Sequence, residues 1–351
     1  MRRIEFHNRE KELKEIMNIL NAEPSLITFV YGPINSGKTA LINHLIEHLP
    51  EAFVVFYINL RAKFLASYDD FIESLFEIEM ETEVTKGKRK ETLAELISAV
   101  TKVAGIPISR EFMDYVFKDN KPKNAFSYIL KLFEAIKAAG KQPVLILDEL
   151  QKMGDVNVNG PLIYELFNFF IDLTKERHLA HVFVATSDSL FIDEVYTEAV
   201  LAGRSDYLLV DDFDYETTSR FLDNYGLNDE EKEMVWEYGG GKPAYLVQLV
   251  HTKLGSGDIA EKTGRMIEEE IGRLIFLLAR NKERKSDILD MLAIFASVDE
   301  VKYTDSMDID VLRFLVKQNI LFLDPVMRTI KPQSRLSLRA MRAVMNEASI
   351  T

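Results

Sequence analysis

Tyr31-Gly32-Pro33-Ile34-Asn35-Ser36-Gly37-Lys38-Thr39-Ala40-Leu41-Ile42 is the stretch that decides the fold. Gly32 to Thr39 spells GxxxxGK[ST], a spacing that lets backbone N–H groups close around phosphate oxygens at the start of a helix. The flanks fit that use. Leu26–Tyr31 is a short apolar run rich in strand formers, and Ala40–Leu49 places apolar residues at helical spacing. Strand, loop and helix in that order are the context a phosphate loop requires. Gly32, Pro33, Asn35, Ser36, Gly37 and Ala40 are therefore expected around the phosphates. Lys38 is expected to reach the β- and γ-phosphates, and Thr39 to ligate Mg²⁺.

A second strand signal supplies the partner of the loop. Val144-Leu-Ile-Leu-Asp148-Glu149 is a buried run ending in two carboxylates. An acidic residue at the carboxyl end of such a strand holds the Mg²⁺ shell, the role expected of Asp148. Glu149 is placed to accept a proton from an attacking water. Phe53–Leu60, Ala180–Ser187 and Tyr207–Val210 read as further strands, with helical patterns between them such as Phe126–Ala139 stopped by Gly140. Buried strands alternating with helices predict an α/β fold, a P-loop parallel sheet covered on both faces.

Working outward, residues 1–213 form the expected ATPase core, with a helical insertion over 61–124 broken by the charged run Thr85–Lys90. Strand signals stop after Asp214, and residues 214–281 read as an all-helical lid. Residues 282–351 mix helices with a hairpin turning at Asp324-Pro325, a pattern resembling a winged helix. No guanine-reading [NT]KxD element and no LSGGQ-like signature occurs, so ATP is the expected nucleotide.

Composition bounds the rest. The chain has 351 residues, 47% hydrophobic and 28% charged, as in a soluble globular protein. Its longest apolar runs fall far short of the roughly 20 residues of a membrane span. The start, MRRIEFHNRE, lacks the apolar core of a signal peptide, and there are no cysteines; both fit a cytoplasmic protein without a membrane partner. A net charge of −13 argues against a surface basic all over. Arg328, Lys331, Arg335, Arg339 and Arg342 nevertheless follow one another with no acidic residue between Pro325 and Asn346. They read either as the solvated face of a terminal helix or as an anion-binding surface. His44 and His48 stand four apart, as metal ligands can, but a plain helix face needs no third ligand.

Phe6-His-Asn-Arg9-Glu10-Lys-Glu-Leu13, the phosphate loop, Leu147-Asp-Glu-Leu-Gln151, Ala202-Gly203-Arg204 and Gly239-Gly-Gly-Lys-Pro243-Ala-Tyr-Leu246 occur in this order. Together they resemble the archaeal ATPase family, a STAND branch near the AAA+ ATPases. The resemblance implies that Asn8 and Arg9 lie near the adenine and that Ser187, or its neighbour Thr186, senses the γ-phosphate. It implies that Arg204 acts as an arginine finger, in cis or from a neighbouring subunit of a homo-oligomer, and that Pro243 closes the lid. Arg204 reads equally as a surface ion-pair residue, and Gly239–Gly241 as a helix stop. The lid shows no clear counterpart of the arginine that AAA+ motors carry there. Two functions follow as expectations: an ATP hydrolase acting on nucleic acid, DNA above all, by binding or remodelling it through the carboxyl-terminal domain, or a nucleotide-gated switch acting on a protein partner. Arg313 and Lys317 are the only cations on the helix beginning at Ile309, which is preceded by Asp308 and carries Asp310.

Overall fold

Along β1 (Ile27–Tyr31) the side chains alternate between two apolar layers. Ile27, Phe29 and Tyr31 enter one layer and Val30 the other. β2 (Phe53–Asn59), β6 (Gln142–Asp148) and β7 (His181–Thr186) repeat the pattern: Leu145 and Leu147, Val182 and Val184 face one way, Val144 and Ile146, Phe183 and Ala185 the other. A strand apolar on both faces needs cover on both, which explains the unbroken hydrophobic runs in the sequence. In the computed structural model, α1 (Glu10–Leu20) and α2 (Lys38–His48) cover one face through Ile16, Leu20, Leu41 and Leu45. α3 (Tyr68–Ser74), α4 (Lys121–Ala138), α5 (Leu162–Ile171) and α6 (Ser189–Thr197) cover the other with Phe71, Phe133, Phe167, Phe170 and Ile192. Each fully buried Phe contributes about 1.5–3 kcal/mol. The structure describes residues 4–65, 67–78, 102–108, 116, 121–155, 162–197 and 201–348.

The strands form a six-stranded sheet in the order β4-β2-β6-β7-β1-β8, with β4 (Lys102–Ala104) and β8 (Ser205–Leu209) at its edges. Every pairing is parallel. Tyr31 is level with Thr186, and Ala185 with Asp148, so three strands end side by side where an open parallel sheet binds its ligands.

One expectation for the 61–124 insertion changes. It contributes β4 to the main sheet and a parallel pair, β3 (Phe76–Ile78) with β5 (Ile106–Ile108), so it is not purely helical. These strands are three residues each, too short for period-2 alternation to stand out. The charged run Thr85–Lys90 lies outside the described residues.

Beyond Asp214 the lid follows the helical reading closely: α7 (Tyr215–Asp223), α8 (Asp229–Gly239), α9 (Pro243–Leu254) and α10 (Ile259–Arg280). Side-chain caps from Asp214, Asn228 and Asp258 start three of them, and Pro243 is the first residue of α9. The last part holds α11 (Lys285–Ala293), α12 (Ile309–Lys317), α13 (Arg335–Ala348) and an antiparallel sheet ordered β10-β11-β9. β9 (Val301–Lys302) was not legible in the sequence. The hairpin of β10 (Leu321–Asp324) and β11 (Thr329–Pro332) turns later than expected. Asp324 Oδ1 accepts the N–H groups of Val326 and Met327, and Arg328 adopts φ 58°, so these residues form the turn rather than a strand. Among the described residues no helix is long and apolar enough to cross a membrane.

Candidate nucleotide site

The phosphate loop leaves β1 at Gly32, where φ is 155° and a Cβ would stand 2.2 Å from Val210 O, so only glycine fits. Val210 N donates to Tyr31 O (2.7 Å), tying the loop's entry to the strand end that leads into the lid. Lys38 is 6% exposed, and its ammonium folds back onto Gly32 O (3.0 Å), Pro33 O (2.8 Å) and Ser36 Oγ (3.3 Å). Those partners are neutral. Burial, followed by repulsion from Lys242, pushes its pKa down to about 7. A buried cation without a bonded carboxylate is a site prepared for an anion.

Thr39 Oγ1 and Tyr57 OH both donate to Asp148 Oδ2, at 3.0 and 2.9 Å. Burial raises the Asp148 pKa, and the two hydroxyls lower it in part. No cluster of three or more His, Cys, Asp or Glu among the described residues could hold a metal. The Thr39–Asp148 pair instead matches a site that phosphate oxygens and water complete.

Glu149 follows with φ 65° and is buried. One of its oxygens is paired with Arg61 and the other accepts Gln151 Nε2 at 2.6 Å. Thr186 Oγ1 donates to Gln151 Oε1 at 2.7 Å. The candidate base is thus linked through Gln151 to the hydroxyl ending β7. That hydroxyl belongs to Thr186, whereas Ser187 is the next residue, half-buried beyond the strand end.

The expected base-binding residues also meet the loop. Arg9 is buried at φ 80°; its guanidinium donates to Ser36 O (2.7 Å) and Asp211 O (2.6 Å), pairs with Glu12 (2.7 Å) and lies 4.5 Å from the Phe213 ring centre. Asn8 Nδ2 donates to Thr217 Oγ1 at 2.7 Å, fastening the same segment to the lid. Beside the loop opens a cavity of ≈ 400 Å³ whose lining includes Phe6, Gly37, Ala40, Phe213, Phe221 and Pro243. An apolar cleft of this size next to a phosphate cradle suits a planar base. His7 also lines it, its Nε2 buried without a bonding partner and its pKa lowered by burial. His44 lines the cavity and stacks on Phe6 at 4.0 Å, and the His48 ring lies tilted against His44 at 4.1 Å, so both histidines are engaged as rings.

Several groups not singled out in the sequence complete the site. Lys242 Nζ donates to Ile34 O (2.9 Å) and pairs with Asp212 (3.0 Å). Ile34 N donates to Gln333 Oε1 (3.2 Å), a side chain from the far end of the chain. Gly241 O accepts Phe213 N at 2.9 Å, and a Cβ on Gly241 would stand 1.8 Å from Phe213 O. The triple glycine is therefore a close backbone contact rather than only a helix stop.

Arg204 lies elsewhere. It precedes β8, whose first residue is level with Ile27, so it sits at the amino end of the sheet. The length of β1, about 17 Å at ~3.3 Å per residue, separates that end from the phosphate loop. Within the chain, Arg204 therefore stands at the end of β1 opposite the phosphate loop. The cationic tail is also arranged differently from an open anion-binding strip. Lys331 pairs with Asp211, Arg339 with Glu237 and Arg342 with Asp299; Arg335 lies 5.1 Å from the Trp236 ring centre. Arg328 occupies the hairpin turn. Lys331, Arg335 and Arg339 thus fasten the carboxyl-terminal part to the lid and to the hinge, the segment around Asp211 that joins β8 to the lid, which alternating charges far apart in sequence could not reveal.

A family model described as an ATPase domain predominantly from Archaea matches residues 6–249. A second, for the carboxyl-terminal domain of an uncharacterized ATP-binding protein like MJ1010, matches residues 260–345. An uncharacterized ATP-binding protein of Pyrococcus abyssi is 49% identical over 97% of this chain and 98% of its own. Another, from Methanocaldococcus jannaschii, is 45% identical over 98% of both chains. Among solved structures, a Walker-type ATPase of Pyrococcus abyssi aligns over 97% of both chains with a TM-score of 0.67 at 18% identity. The ORC2 protein of Aeropyrum pernix, solved with ADPNP and ADP, aligns over 100% of this chain and 98% of its own at 0.51 and 12% identity. At those identities the structural likeness speaks for the fold alone.

Proposed function

The chain belongs to the family of ATPase domains found predominantly in Archaea, and on that premise we propose that it hydrolyses Mg-ATP and uses the nucleotide state to control docking of its own carboxyl-terminal domain. In this reading it is a switch acting on a protein partner. The observation that carries it is the hydrogen bond from Ile34 N, inside the phosphate loop, to Gln333 of the carboxyl-terminal part. The same part touches the site's floor and hinge through Tyr31 OH to Asp324 (3.0 Å), Leu323 N to Ser189 Oγ (3.3 Å) and the Lys331–Asp211 pair.

The residues present fit the nucleotide and its metal. Lys38 is a buried cation bonded only to neutral loop oxygens, and Thr39 and Asp148 converge at the helix start. Mg²⁺ held there would neutralise charge on the phosphate oxygens. Lys38 would leave the loop carbonyls for the phosphates. Glu149, oriented by Gln151 and Thr186, would take a proton from the water whose oxygen attacks the γ-phosphorus as the bond to the β–γ bridging oxygen breaks, yielding ADP and phosphate. Arg61 holds Glu149 in the described arrangement, which favours a restrained resting state.

A terminal phosphate in the loop competes with Gln333 for the same N–H group, so ATP favours release and ADP favours docking. Release also frees Lys331, Arg335 and Arg339 from the hinge and lid. That gives nucleic acid a place only in the ATP form, as a second reading. Hydrogen–deuterium exchange over residues 321–338, with ADP and with a non-hydrolysable ATP analogue, tests the switch. Exchange should rise with the analogue. Equal exchange in two demonstrably bound states refutes gating, and phosphate release no faster than in a blank refutes hydrolysis. A gel-shift arm with DNA distinguishes the partners.

A further inference from the structure

Lys242 is 1% exposed, yet it sits at the rim of a site otherwise supplied by the core. It directly precedes Pro243, the first residue of the lid helix α9, and Pro243 lies against Gly37 of the loop. Its ammonium is bonded to Asp212 and to one loop carbonyl, Ile34 O, with the Asp211 carboxylate and the Lys331 ammonium also acting on it. Burying an ammonium is expensive, and a buried ion pair often repays that cost no better than an apolar pair of the same size. Fastening the lid to the hinge does not need a charge there. Gly241 already joins Phe213 through the backbone.

The second ammonium also works against Lys38. Lys38 bonds Gly32 O and Pro33 O, and Lys242 bonds the next carbonyl of the loop, Ile34 O. Two cations gathered on successive carbonyls of one loop repel each other, and a polyanion bound at that loop relieves the repulsion.

We propose that Lys242 is a second phosphate-binding residue, carried by the lid, which exchanges Asp212 for the terminal phosphate of a bound nucleoside triphosphate. This rests on the nucleotide-binding reading above and deepens it: Lys242 makes the lid respond to the terminal phosphate, and Asp212 is the internal competitor that holds the ammonium when that phosphate is absent.

The competition has a signature that a purely structural ion pair lacks. Removing either partner of a structural pair harms the same fold, so both changes move binding in one direction. Here Lys242→Met should weaken the triphosphate and Asp212→Asn should tighten it. Equilibrium titration of the full chain with a fluorescent non-hydrolysable ATP analogue and with fluorescent ADP reads this directly. A charge-assisted hydrogen bond lost to one phosphate predicts about a 10-fold or larger loss for the triphosphate in Lys242→Met. ADP should change less than about threefold, and Asp212→Asn should bind the triphosphate several-fold more tightly. If Lys242→Met does not fold, the double variant Asp212→Asn/Lys242→Met leaves no charge unpaired and should still have lost its preference for the triphosphate over ADP. Equal losses for both nucleotides, or weakened triphosphate binding in Asp212→Asn, overturn the proposal. Wild-type protein that binds neither nucleotide overturns the nucleotide reading itself, a separate result.

Discussion

Above neutral pH, Lys38 should take up a proton when nucleotide binds. In the folded chain its amine is held at about 7 by burial and by Lys242, against the opposite pull of Glu149, Asp148 and Asp212. Phosphates placed around it restore the charged form. A group of pKa near 7 is about half neutral at pH 7 and about nine-tenths neutral at pH 8. The protein's share of the uptake is therefore roughly 0.5 proton at pH 7 and roughly 0.9 at pH 8. The measurement belongs at pH 8, where a terminal phosphate with a second pKa of about 6 no longer titrates. Titration calorimetry in two buffers of different ionisation enthalpy gives the proton count from the difference in heat. Between pH 8 and 9 the apparent Kd should rise by up to about tenfold. The sign for stability is opposite in the nucleotide-free chain. A lysine whose folded pKa is lowered costs stability when charged, so this group's penalty is full below pH 7 and is relieved as the pH rises toward its ordinary 10.5. Burial also lowers Lys242, so Lys38→Met serves to separate the two amines. Heat that is independent of buffer at pH 8, or unchanged uptake in Lys38→Met, refutes the reasoning.

Glu149→Gln should retain nucleotide affinity in a binding titration while phosphate release slows by about 10²–10⁴-fold, the usual worth of a general base. Arg61 is 60% exposed and its pairing with Glu149 is at most a modest restraint, so Arg61→Ala should raise basal turnover by no more than about fivefold, the equivalent of ~1 kcal/mol. Unchanged or slower turnover would remove Arg61 as a brake. Gly241→Ala forces a Cβ to 1.8 Å from Phe213 O and should destabilise the chain by about 1–3 kcal/mol in denaturant unfolding. Gly264→Ala, in α10 with nothing within 4 Å of the added carbon, is the control and should be neutral or slightly stabilising.

The phosphate loop, the Asp148-Glu149 strand and the lid helices were legible because their signals are local. A GxxxxGK[ST] spacing, an apolar run ending in carboxylates and capped periodic helices each declare themselves within about a dozen residues. Short elements escaped for the same reason: β4 and β9 hold three and two residues, below any periodicity. Arg204 was placed correctly before β8 in sequence, but only strand direction reveals that this is the end of the sheet away from the phosphates.

What the sequence by itself offered is the chemistry to be expected: a phosphate-loop spacing, a threonine and an aspartate expected to hold a metal, and a candidate base, each at the end of a strand legible from its apolar run. Which cations serve that chemistry was decided by tertiary structure. Charge carries no address along the chain, and an ion pair forms with whatever folding brings near. Lys242 came to Ile34 and Asp212, while Lys331 and Arg339 were drawn to Asp211 and Glu237. A row of cations that looked open to an external anion is in large part the fastening of one domain to another, and a lysine hidden between glycine and proline stands beside the phosphate loop.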